Sequence, residues 1–212
     1  MFEERVLRNR VERFQTLMKQ NGIEASVIRT LSSFMYFTGI KWLRPSLLIP
    51  AEGAPRTFIL KQEVEEFASK TWIRDIQPFR RVEELMKGVS GTIRERGYKV
   101  VGFDYSVERD SYVLFFELFK KMSNQAEIRD VHGLIMELRM IKNKDEIEAI
   151  KEASSIGEKG MEAAVGAVEP GATELDIAAE ALRKMMKEGS ENPLVYVNAG
   201  PNPRAHAEPR AW

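Results

Sequence analysis

The residue best placed to do chemistry is His206, in the segment Asn198-Ala199-Gly200-Pro201-Asn202-Pro203-Arg204-Ala205-His206-Ala207-Glu208-Pro209. A Gly/Pro/Asn-rich loop after a strand-like run is where functional side chains are usually displayed. An imidazole can carry a proton, donate a hydrogen bond or ligate a metal near neutral pH. Alone it does little. The chain ends at Trp212, so the carboxylates or metal ligands that should face His206 are expected beyond this chain or from another one.

The other candidates are weaker. His132 opens a helical stretch beside Gly133 and, as a lone histidine, reads as structural. Asp and Glu are plentiful, but no pair of them has a histidine at ligand spacing. No H-E-x-x-H, G-x-x-x-x-G-K-[ST], G-x-S-x-G or G-x-G-x-x-G occurs. The segment Tyr36-Phe37-Thr38-Gly39-Ile40-Lys41-Trp42-Leu43-Arg44-Pro45 offers a second loop of interest. Trp42 and Arg44 could form a recognition surface there, with Trp42 a candidate substrate contact. The competing reading puts Tyr36 and Phe37 in the core and Trp42 over a sheet edge. Arg74, Arg80 and Arg81 cluster in sequence, either as a basic patch or as a solvated loop.

Composition narrows the partners. The 212 residues carry 32 Lys plus Arg against 32 Asp plus Glu, so no basic surplus meets a nucleic-acid backbone. There is no cysteine, which excludes disulfides, thiolate catalysis and Cys-type zinc sites. The start, Met1-Phe2-Glu3-Glu4-Arg5, has no apolar signal core, and no run approaches the ~18 apolar residues of a membrane span. A cytoplasmic protein without membrane or nucleic-acid partners is expected.

The elements that would position these residues alternate over the first two-thirds. Leu7, Val11, Phe14, Leu17 and Met18 recur at helical spacing, and Asn21-Gly22 stops that helix. Strands are expected at Ala25-Ser26-Val27-Ile28, Ser46-Leu47-Leu48-Ile49 and Arg56-Thr57-Phe58-Ile59-Leu60, the last two joined as a hairpin through Glu52-Gly53. A loop is expected through Ser32-Ser33 to Gly39. A short helix from Gln62, a strand near Trp72 to Ile76, a helix with Val82, Leu85, Met86, Val89 and Ile93 on one face, a strand at Lys99 to Phe103 and a helix from Asp110 follow. This pattern predicts an α/β domain with a mixed sheet flanked by helices, over residues 1–130.

Residues 131–212 read almost wholly as helix. Asn143 with Glu146 forms a capping-box pattern, and Ile147, Ile150, Ala153, Ser154, Gly157, Met161 and Val165 make one stripe. Pro170-Gly171 breaks the chain, Thr173 caps the next helix, and Leu175, Ala179, Leu182 and Met186 are expected to face inward. Val195-Tyr196-Val197 is the remaining strand candidate. Helices with apolar faces need a sheet to cover them, so this region behaves as the front half of a domain. Self-association or disorder is expected after about Gly189.

Four segments, in this order, resemble the creatinase/prolidase/aminopeptidase P family, the pita-bread metallopeptidases. They are Tyr36-Phe37-Thr38-Gly39-Ile40; Arg139-Met140-Ile141-Lys142-Asn143-Lys144-Asp145-Glu146-Ile147; Pro170-Gly171-Ala172-Thr173-Glu174; and Asn198-Ala199-Gly200-Pro201-Asn202 with His206-x-x-Pro209. The resemblance covers essentially the whole chain. It implies a creatinase-type N-terminal domain followed by an incomplete α+β pita-bread domain. In complete relatives two divalent ions, Mn, Co or Zn, are held by two Asp, one His and two Glu that come after the segment matching His206. No metal ligand therefore carries over, and no cofactor is expected in this chain. His206 transfers as the residue that holds substrate and helps stabilise the tetrahedral intermediate. Ala205 and Ala199 stand where Pro and Ser are common in the family.

The resemblance thus implies the N-terminal portion of an Xaa-Pro dipeptidase- or aminopeptidase-like hydrolase, truncated, inactive as given and acting when complete on short proline-containing peptides. A homodimer is expected. The alternative is a non-catalytic pseudo-peptidase module for dimerisation or peptide binding. A subunit completing a split catalytic domain is a third possibility.

Overall fold

The computed structural model describes residues 2–43, 46–105, 111–199 and 208–209. Contacts divide the chain into two compact units, Met1–Ile141 and Lys142–Trp212.

The first unit is built on a sheet of order β4-β3-β2-β1-β5-β6. Its strands are β1 (Ala25–Ile28), β2 (Leu47–Pro50), β3 (Arg56–Leu60), β4 (Asp75–Phe79), β5 (Val100–Phe103) and β6 (Glu127–Asp130). β2 runs antiparallel to both its neighbours, while β1 is parallel to β5, β5 to β6 and β3 to β4. The mixed sheet expected from the sequence is therefore present, and its turn carries Gly53 at φ 99°. A consequence is that β1, β3, β4, β5 and β6 all end on the same edge. Ligand sites of open α/β sheets concentrate at such carboxyl ends.

Side-chain alternation sends each strand's residues to opposite faces. Ile28, Leu47, Ile49 and Ile59 join a core with α1 (Glu4–Gln20), α2 (Leu31–Thr38), α3 (Val64–Lys70) and α6 (His132–Met140). Ala25, Val27, Leu48, Phe58, Val101 and Phe103 join another with α4 (Val82–Glu95) and α5 (Ser111–Met122). The result is three layers. Helix α1 buries Leu7, Val11, Phe14 and Met18, the stripe read from its spacing. Helix α6, counted above with the second part, buries Ile135 and Leu138 in the first unit's core.

The loop expected from Ser32 to Gly39 is instead helix α2, which ends on Gly39 in the left-handed region at φ 78°. Local spacing missed it because eight residues of mixed polarity show too little period. Phe37 is buried and meets Phe14 at a centroid distance of 5.1 Å. The Thr38 hydroxyl donates to the Phe34 carbonyl at 2.7 Å. A Cβ at Gly39 would lie 2.7 Å from Leu7 Cδ1, so the glycine serves both the turn and the approach of α1. Buried Arg10 of α1 donates from Nη1 to the Tyr36 carbonyl at 2.8 Å. The Tyr-Phe-Thr-Gly motif is thus a packing device here.

Two strands differ from their expected places. β4 begins at Asp75 rather than near Trp72, because Trp72 is buried and its indole N–H donates to the Phe37 carbonyl at 3.0 Å. β6 was not expected as a strand. Its sequence, Glu-Ile-Arg-Asp, is mostly polar, and its order comes from parallel pairing with β5.

At the carboxyl edge sits Asp104, whose side chain is wholly buried. It accepts from the Thr30 hydroxyl at 2.5 Å and the Ser33 hydroxyl at 2.7 Å, and its Oδ1 lies 2.9 Å from His132 Nδ1. One carboxylate therefore ties the segment after β1, the start of α2, the end of β5 and the first residue of α6. His132, read as a lone histidine, stands in a network no local pattern displays. Asp104→Ala would leave buried hydroxyls without that acceptor, at about 1–3 kcal/mol for each. Urea unfolding of the variant is expected to show a loss of that order; a midpoint shift within error would show that the network contributes nothing to stability.

Candidate functional site

The second unit is a helix pair, α7 (Lys144–Gly166) and α8 (Glu174–Lys187), followed by the segment that approaches His206. Both helix starts are closed by capping boxes, the one at Asn143 read from the sequence and the one at Thr173 read there only as a cap. Asn143 Oδ1 accepts from the Glu146 N–H at 2.9 Å, and Glu146 Oε2 accepts from the Asn143 N–H at 2.9 Å. Thr173 and Asp176 do the same for α8, at 3.2 and 2.8 Å. The Thr173 hydroxyl, donating to Asp176, and then the Thr173 N–H hold the Asp176 carboxyl below its ordinary range. These boxes set where α8 begins, and so where Glu174 stands.

Glu174 is the residue that sequence reading undervalued. In the sequence it stands out only as the last residue of the Pro170-to-Glu174 segment, yet Glu174 is 6% exposed. Its Oε1 accepts from the Ala199 N–H at 2.8 Å. The Pro170-to-Glu174 turn and the Asn198-Ala199 loop, matched above as separate motifs, therefore meet at one side chain. A buried glutamate at the start of a helix, followed later by a Gly/Pro loop, is the only trace of this in the sequence. His206 and its neighbours 200–207 lie outside the described residues, as does Arg44.

The helices approach closely where α7 carries Gly160. A Cβ there would lie 2.5 Å from Met185 Cγ of α8. Glu188, just after α8, accepts from Lys159 at 2.5 Å and from Lys184 at 2.8 Å. These two ammonium groups, Lys159 first, pull the Glu188 carboxyl down to about 2. The inward residues of α8 are Ala178 and Ala181. This corrects the expected face, since Leu175 is 47% and Met186 59% exposed. Met185 packs on Gly160 of α7, and Ala178 and Ala181 are the small residues that α8 buries.

Large apolar side chains of α7 are consequently uncovered, with Met161 and Val165 each 66% exposed. Together with Ile177, Val195 and Tyr196 they line a cavity of about 550 Å³. Val195-Tyr196-Val197 is not a strand, because among the described residues no other strand lies beside it to complete a ladder. Among the described residues no group of three or more His, Asp and Glu is placed to hold a metal ion.

Trp42, the other predicted contact, belongs to the first unit. Its indole N–H donates to Glu63 Oε2 at 2.8 Å, and its ring stands edge-on to Phe67 at 5.2 Å. The polar end of the side chain is thus already engaged within the fold, and part of the ring remains accessible.

Residues 10–141 match the family model of the Creatinase/Prolidase N-terminal domain, and residues 148–211 match that of Metallopeptidase family M24. An Xaa-Pro dipeptidase of Pyrococcus furiosus is 27% identical over 194 residues, covering 88% of this chain and 51% of that protein. The prolidase structure from Pyrococcus horikoshii superposes with a TM-score of 0.72 at 26% identity, covering 86% of this chain and 50% of that one. The prolidase from Pyrococcus furiosus gives a TM-score of 0.76 at 23% identity, covering 94% and 61%, and shares the fold. The chain spans about half the length of the curated relatives it matches.

Two measurements check this geometry. Glu174→Ala is expected to abolish the hydrogen-exchange protection of the Ala199 amide, while Glu174→Gln, which keeps an acceptor, retains part of it. Equal protection in both variants would remove Glu174 from the role. For Glu188, a carboxyl lowered from 4.5 to about 2 stabilises the folded state fully above the unfolded value. That contribution is expected to fade as pH falls from about 4.5 towards 2, so the stability difference between the native chain and Glu188→Gln should shrink over that window. A difference independent of pH there would show that the lysines do not act on it.

Proposed function

This chain belongs to the creatinase/prolidase family, and we propose that it is the N-terminal portion of an Xaa-Pro dipeptidase- or aminopeptidase-like metallopeptidase. The reaction is hydrolysis of short proline-containing peptides. The observation that carries it is the Glu174–Ala199 contact. It ties Ala199, seven residues before His206 in the sequence, to a capped helix, and a substrate-holding side chain needs such a supporting contact nearby. In this reading His206 holds the substrate. By donating a hydrogen bond it also steadies the oxygen that becomes negative in the tetrahedral intermediate.

The described residues do not fit a pair of divalent ions, because no three or more acidic and histidine side chains converge among them to hold one. Mn, Co or Zn would supply the hydroxide nucleophile when bound by ligands outside these 212 residues, and no step is assigned to this chain through them. The uncovered faces of α7 and α8 are then where the sheet of the pita-bread domain would lie. Trp42 is retained as a peptide contact through the accessible part of its ring. A cytoplasmic homodimer completes the proposal; no helix among the described residues is long and apolar enough to cross a membrane.

The test is made on the full polypeptide that contains these residues. Its coding frame is expected to supply two Asp, one His and two Glu as ligands. With Mn or Co it should release proline from Ala-Pro. His206→Ala should then lower kcat by roughly 10²–10³-fold, the size of losing one donor to a developing oxyanion. The 212-residue chain by itself should give no turnover above the metal blank. Proline release by that chain alone would sink the reading. Saturable peptide binding by a polypeptide whose frame lacks the ligands would favour the pseudo-peptidase module.

A further inference from the structure

At one end of the sheet lies β4, which pairs with β3 alone among the described residues. Its outer edge therefore offers unpaired N–H and C=O groups to another extended backbone. Pro78 removes a donor near the carboxyl end, but Asp75, Ile76 and Gln77 leave the rest of the edge open. Beside it runs a groove of about 670 Å³, walled by β4 and α4 and wholly within the first unit. Gly88 marks where the helix sits on the sheet. A Cβ there would lie 3.1 Å from Phe58 of β3 and 3.2 Å from Gln77 of β4. At Gly91, which also lines the groove, a Cβ would meet nothing within 4 Å, so α4 is uncovered there.

Charge makes this groove complementary to itself. Lys87 stands four residues before Gly91 and Glu95 four after it. Both are exposed groove residues, and neither has an ion-pair partner among the described residues. A two-fold axis beside Gly91 sets each Lys87 against the partner's Glu95, so the pair forms twice. The strand agrees with that axis. Thr92 accepts from Arg56 Nη1 at 3.3 Å, and Arg56 is the register partner of Asp75, so α4 runs back along β4 from Gln77 towards Asp75. From Gly88 to Gly91 the helix rises about 4.5 Å, little more than one strand residue of about 3.3 Å. The axis therefore crosses β4 at Ile76. Antiparallel pairing about Ile76 places Gln77 opposite the partner's Asp75, and the Gln77 amide, without a hydrogen bond among the described residues, can donate to that carboxylate. On the other face Ile76 meets the partner's Ile76 and extends the core into which it already packs.

We propose that β4 and α4 form the contact of a two-fold dimer, in which the sheets of two copies of this chain join edge to edge. Two strand spacings then separate the copies of α4, about 10 Å, and helices pack at about 8–10 Å. An extended segment of another polypeptide would satisfy β4 alone, whereas a second copy answers Lys87 and Glu95 as well. The surface belongs to the homodimer proposed above, on which it rests, and uses no residue of the His206 loop.

Sedimentation equilibrium of the 212-residue chain is expected to show a monomer–dimer equilibrium. Lys87→Glu or Glu95→Lys should each raise its Kd about tenfold or more, with an unchanged unfolding midpoint. The double variant Lys87→Glu/Glu95→Lys, which exchanges the charges, should return to within about threefold of the native Kd. A cross-link checks the register. The chain has no cysteine, so one introduced thiol can bridge only to a second copy. Residues directly opposed in an antiparallel pair stand about 4.5–5.5 Å apart between Cα atoms, within reach of a disulfide. Ile76→Cys is expected to form a covalent dimer on mild oxidation, and Ile128→Cys, on the opposite edge strand β6, is not. A monomer at every concentration would overturn this surface and the homodimer together, and would leave the edge to an extended segment of another polypeptide. A dimer indifferent to Lys87→Glu, or one bridged through Ile128→Cys instead of Ile76→Cys, would overturn the surface while the homodimer stands.

Discussion

A carboxylate cannot be buried without hydrogen-bond donors, and Asp104 is buried completely. Its answer to that constraint organises the carboxyl edge of the sheet. Thr30 and Ser33 place the start of α2 against the end of β5, and His132 brings α6 to the same point. Once α2 starts there, its Phe37 falls on Phe14 of α1, and Gly39 lets the chain turn beneath Leu7. Close packing around β5 adds to this. A Cβ at Gly102 would collide with Ser26 of β1 and Val131 at the start of α6, so only glycine allows those neighbours to close in. The described part of the edge is therefore closely packed where α/β folds usually display their ligand sites.

The second unit follows a different logic. Its helices are fixed at their ends, by capping boxes and by the Lys159–Glu188–Lys184 group, and by small residues where they touch. Their large apolar residues remain outside. Such a pair is a scaffold that presents surface rather than one that encloses a core, and Glu174 ties Ala199 back to the start of α8. Family membership then gives that geometry its meaning. Half the length of the relatives is represented here.

The two units also place charge differently. In the second, Glu188 and its lysines neutralise one another at the surface. In the first, Arg29, Arg80 and Arg81 border an otherwise apolar hollow. Equal totals of acid and base over the chain say nothing of such local placement. Net charge bounds nonspecific attraction to polyanions, but it says little about one cavity.

What could be read from residues alone was whatever depends on neighbours a few positions away. The α1 stripe, the hairpin through Gly53, the box at Asn143 and the cap at Thr173 are local, and the chain spells them out. The order of family-like segments was legible for the same reason. Tertiary structure decided everything set by distant contacts. β6 is a strand because β5 lies beside it, and α2 is a helix in a segment too short to show a period. The inward face of α8 shows only in the helix pair, where Met185 packs on Gly160 and Ala178 and Ala181 are buried. Arg29 joins Arg80 across the sheet, and Glu174 meets Ala199, because strand order and helix pairing put them there. A hydrogen bond between residues far apart leaves no period in the sequence. It forms only after the backbone has closed the intervening loop, so only the folded chain displays it.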